Sequence, residues 1–292
     1  MHTIDLAHVG RGLHEELTAY IADQENLYAD EGVRVALHDG CSWDEERLRH
    51  VVTIGLGRAL LSRLTSGIPW VALNVNTHRP LFWFLARPGP TSPADLAGRR
   101  LAVHAPHTAP GCFARIVLRQ AGLDPDRDVD CVFRQPGDYG MDLRRLRDGA
   151  IDAAYVGSTM APEAIAAEYG WQVLAWVGDH FQIPTVGLAV DPTHIAPDDP
   201  AVLAVVRAHR RALTVIRDDP DTTVRHIRTF LGRHTADEAR AHYKTFIAPY
   251  FTTDGAADLA VGAAAISAVA ADLGVPESIA ASDFYRTATV TP

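Results

Sequence analysis

The chain has 292 residues, 47% of them apolar, and a formal net charge of −9 at pH 7. That length serves one large domain or two ordinary ones with a substantial core, and the acidic balance excludes a nucleic-acid partner, whose phosphates need a basic face. Three cysteines, Cys41, Cys112 and Cys131, are too few and too odd in number for a disulfide framework.

Taken in order, residues 3–7 read as a strand. Leu13, Leu17, Tyr20 and Ile21 lie at helical spacing and predict a helix over 14–28, ended by Glu31-Gly32. Strands follow at 33–37 and 51–54, then a helix through Leu60, Leu61 and Leu64 that stops at Gly67, then a strand at 70–75. This βαβαβ run predicts a mostly parallel sheet. After Arg79-Pro80 a strand at 81–86 restarts the alternation. Strands are expected at 100–103, 130–133, 151–156 and 173–176, and helices at 111–121, 141–147 and 161–169. A strand returns at 184–190. Four helices are expected beyond it, two of them at 236–247 and 256–273.

The middle of the chain therefore reads as a second α/β unit inserted into the first. Lobe 1 is expected at 1–79 plus 187–292 and lobe 2 at 80–186, with crossovers near 76–80 and 184–187. The chain enters its first strand directly, with no basic or apolar leader and no lipoprotein cysteine. Its most apolar stretch, 261–275, is too short to span a bilayer. The expectation is a cytoplasmic protein without a membrane span, its oligomeric state left open.

Four segments carry a resemblance. They are IADQENLYADEGV at 21–33, SPADLAGRRLAV at 92–103, LRQAGLDP at 118–125 with Asp128-Val129 behind it, and LRDGAIDAAY at 146–155. In this order and spacing the chain resembles the type II periplasmic solute-binding fold, in particular its sulfonate-binding and thiamine-pyrimidine-synthase-like branch. The resemblance implies an α/β fold of two lobes, mostly parallel sheets flanked by helices, and a ligand cleft between the lobes. Loops after the carboxyl ends of the strands would line that cleft, as in open α/β sheets generally. The pyrimidine synthases carry a cysteine-rich iron motif that has no counterpart here, so their activity is not expected, and neither is a cofactor. Sulfinate-cleaving enzymes that resemble this family place a nucleophilic cysteine in the loop after strand one. Here that loop, Val9-Gly10-Arg11-Gly12, has none. Cys41 is either a substitute or a small buried thiol.

Loop position supplies the candidate site. Thr108 is placed to cap a helix whose first turn holds Pro110, with amides near Gly111 and Cys112 turned toward an anion. His104, His107 and Cys112 lack zinc spacing, and no metal is expected there. In the sulfinate-cleaving relatives an arginine precedes an aromatic-rich strand, as Arg79 precedes Phe82-Trp83, which implies either an anion clamp or a surface or inter-lobe salt bridge. Trp43, Ser158 and Thr159 join the ligand-binding set by loop position. His78, His104 and His107 are the proton-transfer candidates. The leading expectation is a cofactor-independent acid–base enzyme, lyase or cyclase in type, acting on a small anionic metabolite that is aromatic or polyketide-like. The alternative is a non-catalytic solute-binding protein of an ABC transporter, or a metabolite sensor.

Overall fold

A computed structural model describes residues 2–134, 141–158, 161–232 and 235–287, and among them ten strands form two sheets. In chain order they are β1 His2–His8, β2 Val33–Asp39, β3 Val52–Ile54, β4 Val71–Thr77, β5 Phe82–Ala86, β6 Arg100–Val103, β7 Asp130–Phe133, β8 Ala153–Gly157, β9 Gln172–Trp176 and β10 Val186–Val190. The first sheet has the order β2-β1-β3-β10-β4 and the second the order β7-β6-β8-β5-β9. In the first, β1 is parallel to β2 and β3, while β10 is antiparallel to β3 and β4. The second repeats the scheme: β6 is parallel to β7 and β8, and β5 is antiparallel to β8 and β9. Four strands of each sheet thus run one way, and the fifth runs against them.

The chain divides into two compact units. The first comprises Met1–His78, Ile183–Ser267 and Pro276–Pro292; the second comprises Arg79–Gln182 and Ala268–Val275. The chain passes between them after His78, after Gln182, within the helix Leu259–Leu273, and again after Val275. No helix among the described residues is long and apolar enough to cross a membrane.

Sheet position explains the apolar runs in the sequence. β4, β5 and β10 are buried at every residue, as strands covered on both faces must be. β2, at an edge, keeps three half-buried and three exposed positions. The helix Pro200–Asp218 covers the first sheet with a stripe that includes Val202, Val205, Val206, His209, Leu213 and Ile216, and Asp199 caps its start. The predicted helix at 14–28 is two helices, Leu13–Gln24 and Leu27–Asp30. They are separated at Asn26, whose φ of 57° is left-handed. Asparagine tolerates that conformation because its short amide bonds locally. The expected helix at 236–247 becomes Ala236–His242 followed by a π turn at Tyr243–Ile247.

Two of the family-like segments meet in the second unit. Ser92 and Asp95 close a reciprocal cap on the turn Pro93–Leu96, which sets the entry to β6. Arg100, the first residue of that strand, forms a two-pronged pair with Asp152 at 2.9 and 3.1 Å. The pair, led by the Arg100 hydrogen bond, pulls the Asp152 carboxyl down to about 2. These residues build scaffold.

Candidate functional site

Each unit collects polar side chains at the carboxyl ends of its parallel strands. In the second unit, His104 follows β6, Arg134 follows β7 and Ser158 follows β8. Antiparallel β5 starts at that same end with Phe82, preceded by Arg79, and β9 finishes there with Trp176.

Arg134 organises this end. Its Nε donates to Asp142 at 2.6 Å, its Nη2 to the Tyr155 carbonyl at 2.8 Å, and its Nη1 lies 3.3 Å from Nε2 of His104. Both members of the Arg134–Asp142 pair are buried. A guanidinium has only donors, so Nε2 of His104 must accept and Nδ1 must carry the proton. Burial, then the Arg134 charge, lowers the His104 pKa to about 3. The ring is therefore a neutral N–H donor near pH 7, and its Nδ1 is buried without a hydrogen-bond partner. Phe82 stacks on Tyr155 at 5.1 Å, and His104 stands edge-on to both rings. The Tyr155 hydroxyl is a second buried orphan. Two unpaired donors beside one aromatic face are costly in an interior, and such groups mark places with a functional explanation.

Arg79 lies with its guanidinium 5.5 Å from the Trp176 ring and bonds Asp179 at 2.9 Å. Trp176 in turn donates to the Pro80 carbonyl at 2.9 Å. The arginine is thus anchored on both flanks of its own turn.

Thr108 caps the helix Ala109–Gln120 as expected, and the consequence differs from the expectation. The Gly111 amide donates to the Thr108 hydroxyl at 3.2 Å, and the Cys112 amide donates to the Thr108 carbonyl at 2.9 Å. Both amides assigned to an anion are therefore engaged within the cap: a ligand would have to displace the Thr108 hydroxyl to reach the Gly111 amide and break the first helical hydrogen bond to reach that of Cys112. Gly111 has a steric duty as well. A Cβ there would overlap the Ala105 carbonyl oxygen, so the loop can cross the helix start only over a glycine. Gly111→Ala should lower stability by about 1–3 kcal/mol, read as an earlier urea midpoint. An unchanged midpoint would mean the loop relaxes without cost.

The Cys112 thiol is fully buried, and burial pushes it up to about 12. His107 is exposed, and among the described residues His104, His107 and Cys112 do not converge on a common point. Ser158 is buried at the end of β8, and Thr159 lies outside the described residues.

The first unit holds the other two candidates. His78 follows β4, and its Nε2 accepts the Asp258 amide at 2.8 Å, so the proton sits on Nδ1. Burial lowers its pKa. Trp43 is half-buried, with the Arg47 guanidinium 3.5 Å from its ring centroid and His38 beside it. Burial, then Asp39, pushes the Cys41 thiol up to about 12, which makes it a poor nucleophile.

Glu15 is the surprise of this unit. Its Oε1 is 3.5 Å from Nε2 of His14, and its Oε2 is buried without a partner. The side chain lies so close over Gly10 that a Cβ there would sit 3.3 Å from the carboxyl. Burial, then Glu16, raises the Glu15 pKa to about 8. Nearby, Arg11 bridges Glu16 and Asp39 at 3.0 and 3.1 Å, beside a cavity of about 240 Å³ that His8, Tyr20 and Phe230 also line. Neither Glu15 nor Arg134 was among the candidates that loop position supplied. The available signal was a charged residue at the junction of loop and regular element.

The family model described as NMT1/THI5 like matches residues 15–223. No curated protein matches the sequence significantly. Among solved structures, the periplasmic aliphatic sulphonate binding protein SsuA from Escherichia coli superposes with a TM-score of 0.73 at 15% identity, over 93% of this chain and 87% of that one. The alkanesulfonate-binding protein SsuA from Xanthomonas axonopodis pv. citri, bound to MOPS, gives 0.75 at 13% identity, over 97% and 98%. The desulfurization enzyme DSZB gives 0.65 at 17% identity, over 94% and 93%. At such identities the likeness shows the fold, which is the periplasmic-binding-protein fold expected from the four segments.

Proposed function

The chain belongs to the NMT1/THI5-like family, and from that premise we propose that it is a non-catalytic solute-binding protein for a small organic sulfonate or carboxylate. The ligand is received at the strand-end face of the second unit. Arg79 supplies the charge, the His104 Nδ1–H and the Tyr155 hydroxyl supply neutral donors, and Phe82 supplies an apolar wall. The observation that carries the reading is the convergence of these groups on one sheet end, in a fold shared with two sulfonate-binding proteins.

The lyase or cyclase reading, which the sequence put first, has less support than its alternative. A histidine that titrates near 3 neither takes nor delivers a proton efficiently at neutral pH. Thiols pushed up to about 12 hold almost no thiolate. The Nε2 of His78 is committed to a backbone amide.

The test is calorimetry and thermal shift with an alkanesulfonate series, MOPS, benzenesulfonate and the matching carboxylates. At least one should bind saturably and be recovered chemically unchanged after long incubation. Arg79→Ala should weaken that ligand by at least about tenfold, near 1.4 kcal/mol. Failure of both anion classes to bind, or conversion of a bound ligand, overturns the proposal. Full affinity in Arg79→Ala removes that residue from the site.

A further inference from the structure

We propose that Glu46, His50 and His194, in the first unit, form a surface site for one divalent transition-metal ion, with zinc the best fit. Glu46 and His50 are four residues apart, on the short helix Glu45–Leu48 and the turn that continues it. That spacing puts both on one face. His194 comes from the turn that follows β10. One ligand atom from each of the three lies within 4.8 Å of the other two. Nε2 of His50 and a carboxylate oxygen of Glu46 are already 3.3 Å apart, and the two imidazole rings are 4.2 Å apart, edge to face. Zinc bonds of about 2.0–2.1 Å place tetrahedral ligands roughly 3.4 Å from one another. The Glu46 and His50 side chains are exposed and that of His194 is partly so, which leaves the remaining closure to rotamer adjustment at the surface.

A second layer of contacts supports the ligand set. Nδ1 of His194 lies 2.9 Å from the Thr193 hydroxyl and 3.3 Å from Oδ2 of Asp191. Asp191 is fully buried, and it accepts from Arg49 at 2.6 Å and from the Thr193 amide at 2.9 Å. A carboxylate behind a histidine fixes which nitrogen carries the proton, and it leaves the lone pair on the other. Arg49 also reaches Glu46, at 3.3 Å, which keeps one carboxylate oxygen turned away from the ion. Two nitrogens and one oxygen suit zinc, cobalt or nickel better than calcium or magnesium, and three protein ligands leave a position for water.

His50 precedes β3 and His194 follows β10, which is antiparallel to it, so the ion sits at the amino end of β3. That is the end of the sheet away from His8 and Glu15. The ion would tie the β2–β3 connection to the segment after β10.

The chain has 14 histidines, so localisation needs variants as well as binding. The full chain, stripped with a chelator, is titrated with Zn²⁺ by calorimetry and with Co²⁺ by visible absorption. One ion per chain is expected, with the d–d bands of a tetrahedral cobalt site. His50→Ala and His194→Ala should each weaken it by about tenfold or more. Both variants should keep the wild-type melting temperature in chelator, because neither side chain is part of the core. The double variant should lose the stoichiometric ion. A wild-type chain that takes up no stoichiometric Zn²⁺, or a double variant that binds as the wild type does, overturns the proposal.

Discussion

Acidification from pH 7 to pH 5 should bring this protein to the edge of unfolding, well above the range where carboxylate protonation alone denatures proteins. Burial is the first cause in each case. It lowers His8 to about 4 and His14, His104 and His209 to about 3, with Arg11, His242, Arg134 and His8 respectively adding to the effect. His209 shows the arrangement: its Nε2 takes a 2.8 Å hydrogen bond from the Tyr28 hydroxyl, and its Nδ1 is buried without a partner. Each ring stays neutral in the folded state and takes a proton only on unfolding. Its contribution to stability is therefore present above about pH 6.5 and is lost as pH falls toward the folded value. By pH 5 each ring has given up about 2 kcal/mol. Glu15 works in the opposite sense. Its folded pKa, raised to about 8, contributes stability that is complete below the unfolded value and is lost as pH rises through 8. Between pH 7 and 5 it returns about 2–3 kcal/mol. The net loss of about 5 kcal/mol rivals the whole stability of an ordinary domain. Melting followed by circular dichroism should show a steep fall in midpoint from pH 6.5 to 5. His209→Gln should make that fall shallower, and Glu15→Gln should flatten the alkaline side. A midpoint constant from pH 7 to 5 would refute the account.

Replacing Arg134 with leucine should cost the second unit about 3–5 kcal/mol, because the fully buried Asp142 would lose its hydrogen-bonded partner at 2.6 Å and keep only the longer pair with Arg145 at 3.7 Å. The same change frees Nε2 of His104 and the Tyr155 carbonyl, so affinity for any sulfonate or carboxylate ligand should fall with stability. Arg134→Leu combined with Asp142→Leu should recover much of the loss, since removing both charges leaves none unpaired. Urea midpoints of the two single variants and the double variant decide the matter. If Arg134→Leu stays within about 0.5 kcal/mol of the wild type, the ion pair does not organise the strand-end face.

The site was legible in outline only. The loop after β6 and the cap at Thr108 could be named from the sequence, because a capping residue, a proline in the first turn and a glycine lie within a few positions. What the cap does with its amides could not, since that depends on how the loop folds back over Gly111. Arg79 was named, and its anchors Asp179 and Trp176 were not, because the pairing of β5 with β9 brings them to it. Glu46 and His50 stand at a visible helical spacing. Their third partner, His194, arrives only through the antiparallel pairing of β3 and β10.

The sequence by itself determined the alternation of strands and helices, the α/β class and the family, since periodicity, caps and turn residues act over a few positions. The tertiary structure alone decided the chemistry. A histidine expected to carry protons became a neutral donor because burial and Arg134 act on it from elsewhere in the chain. A glutamate in the first turn of a helix became a protonated acid because the surrounding loops exclude water from it. Ionisation follows burial and long-range neighbours, and neither is written in local pattern.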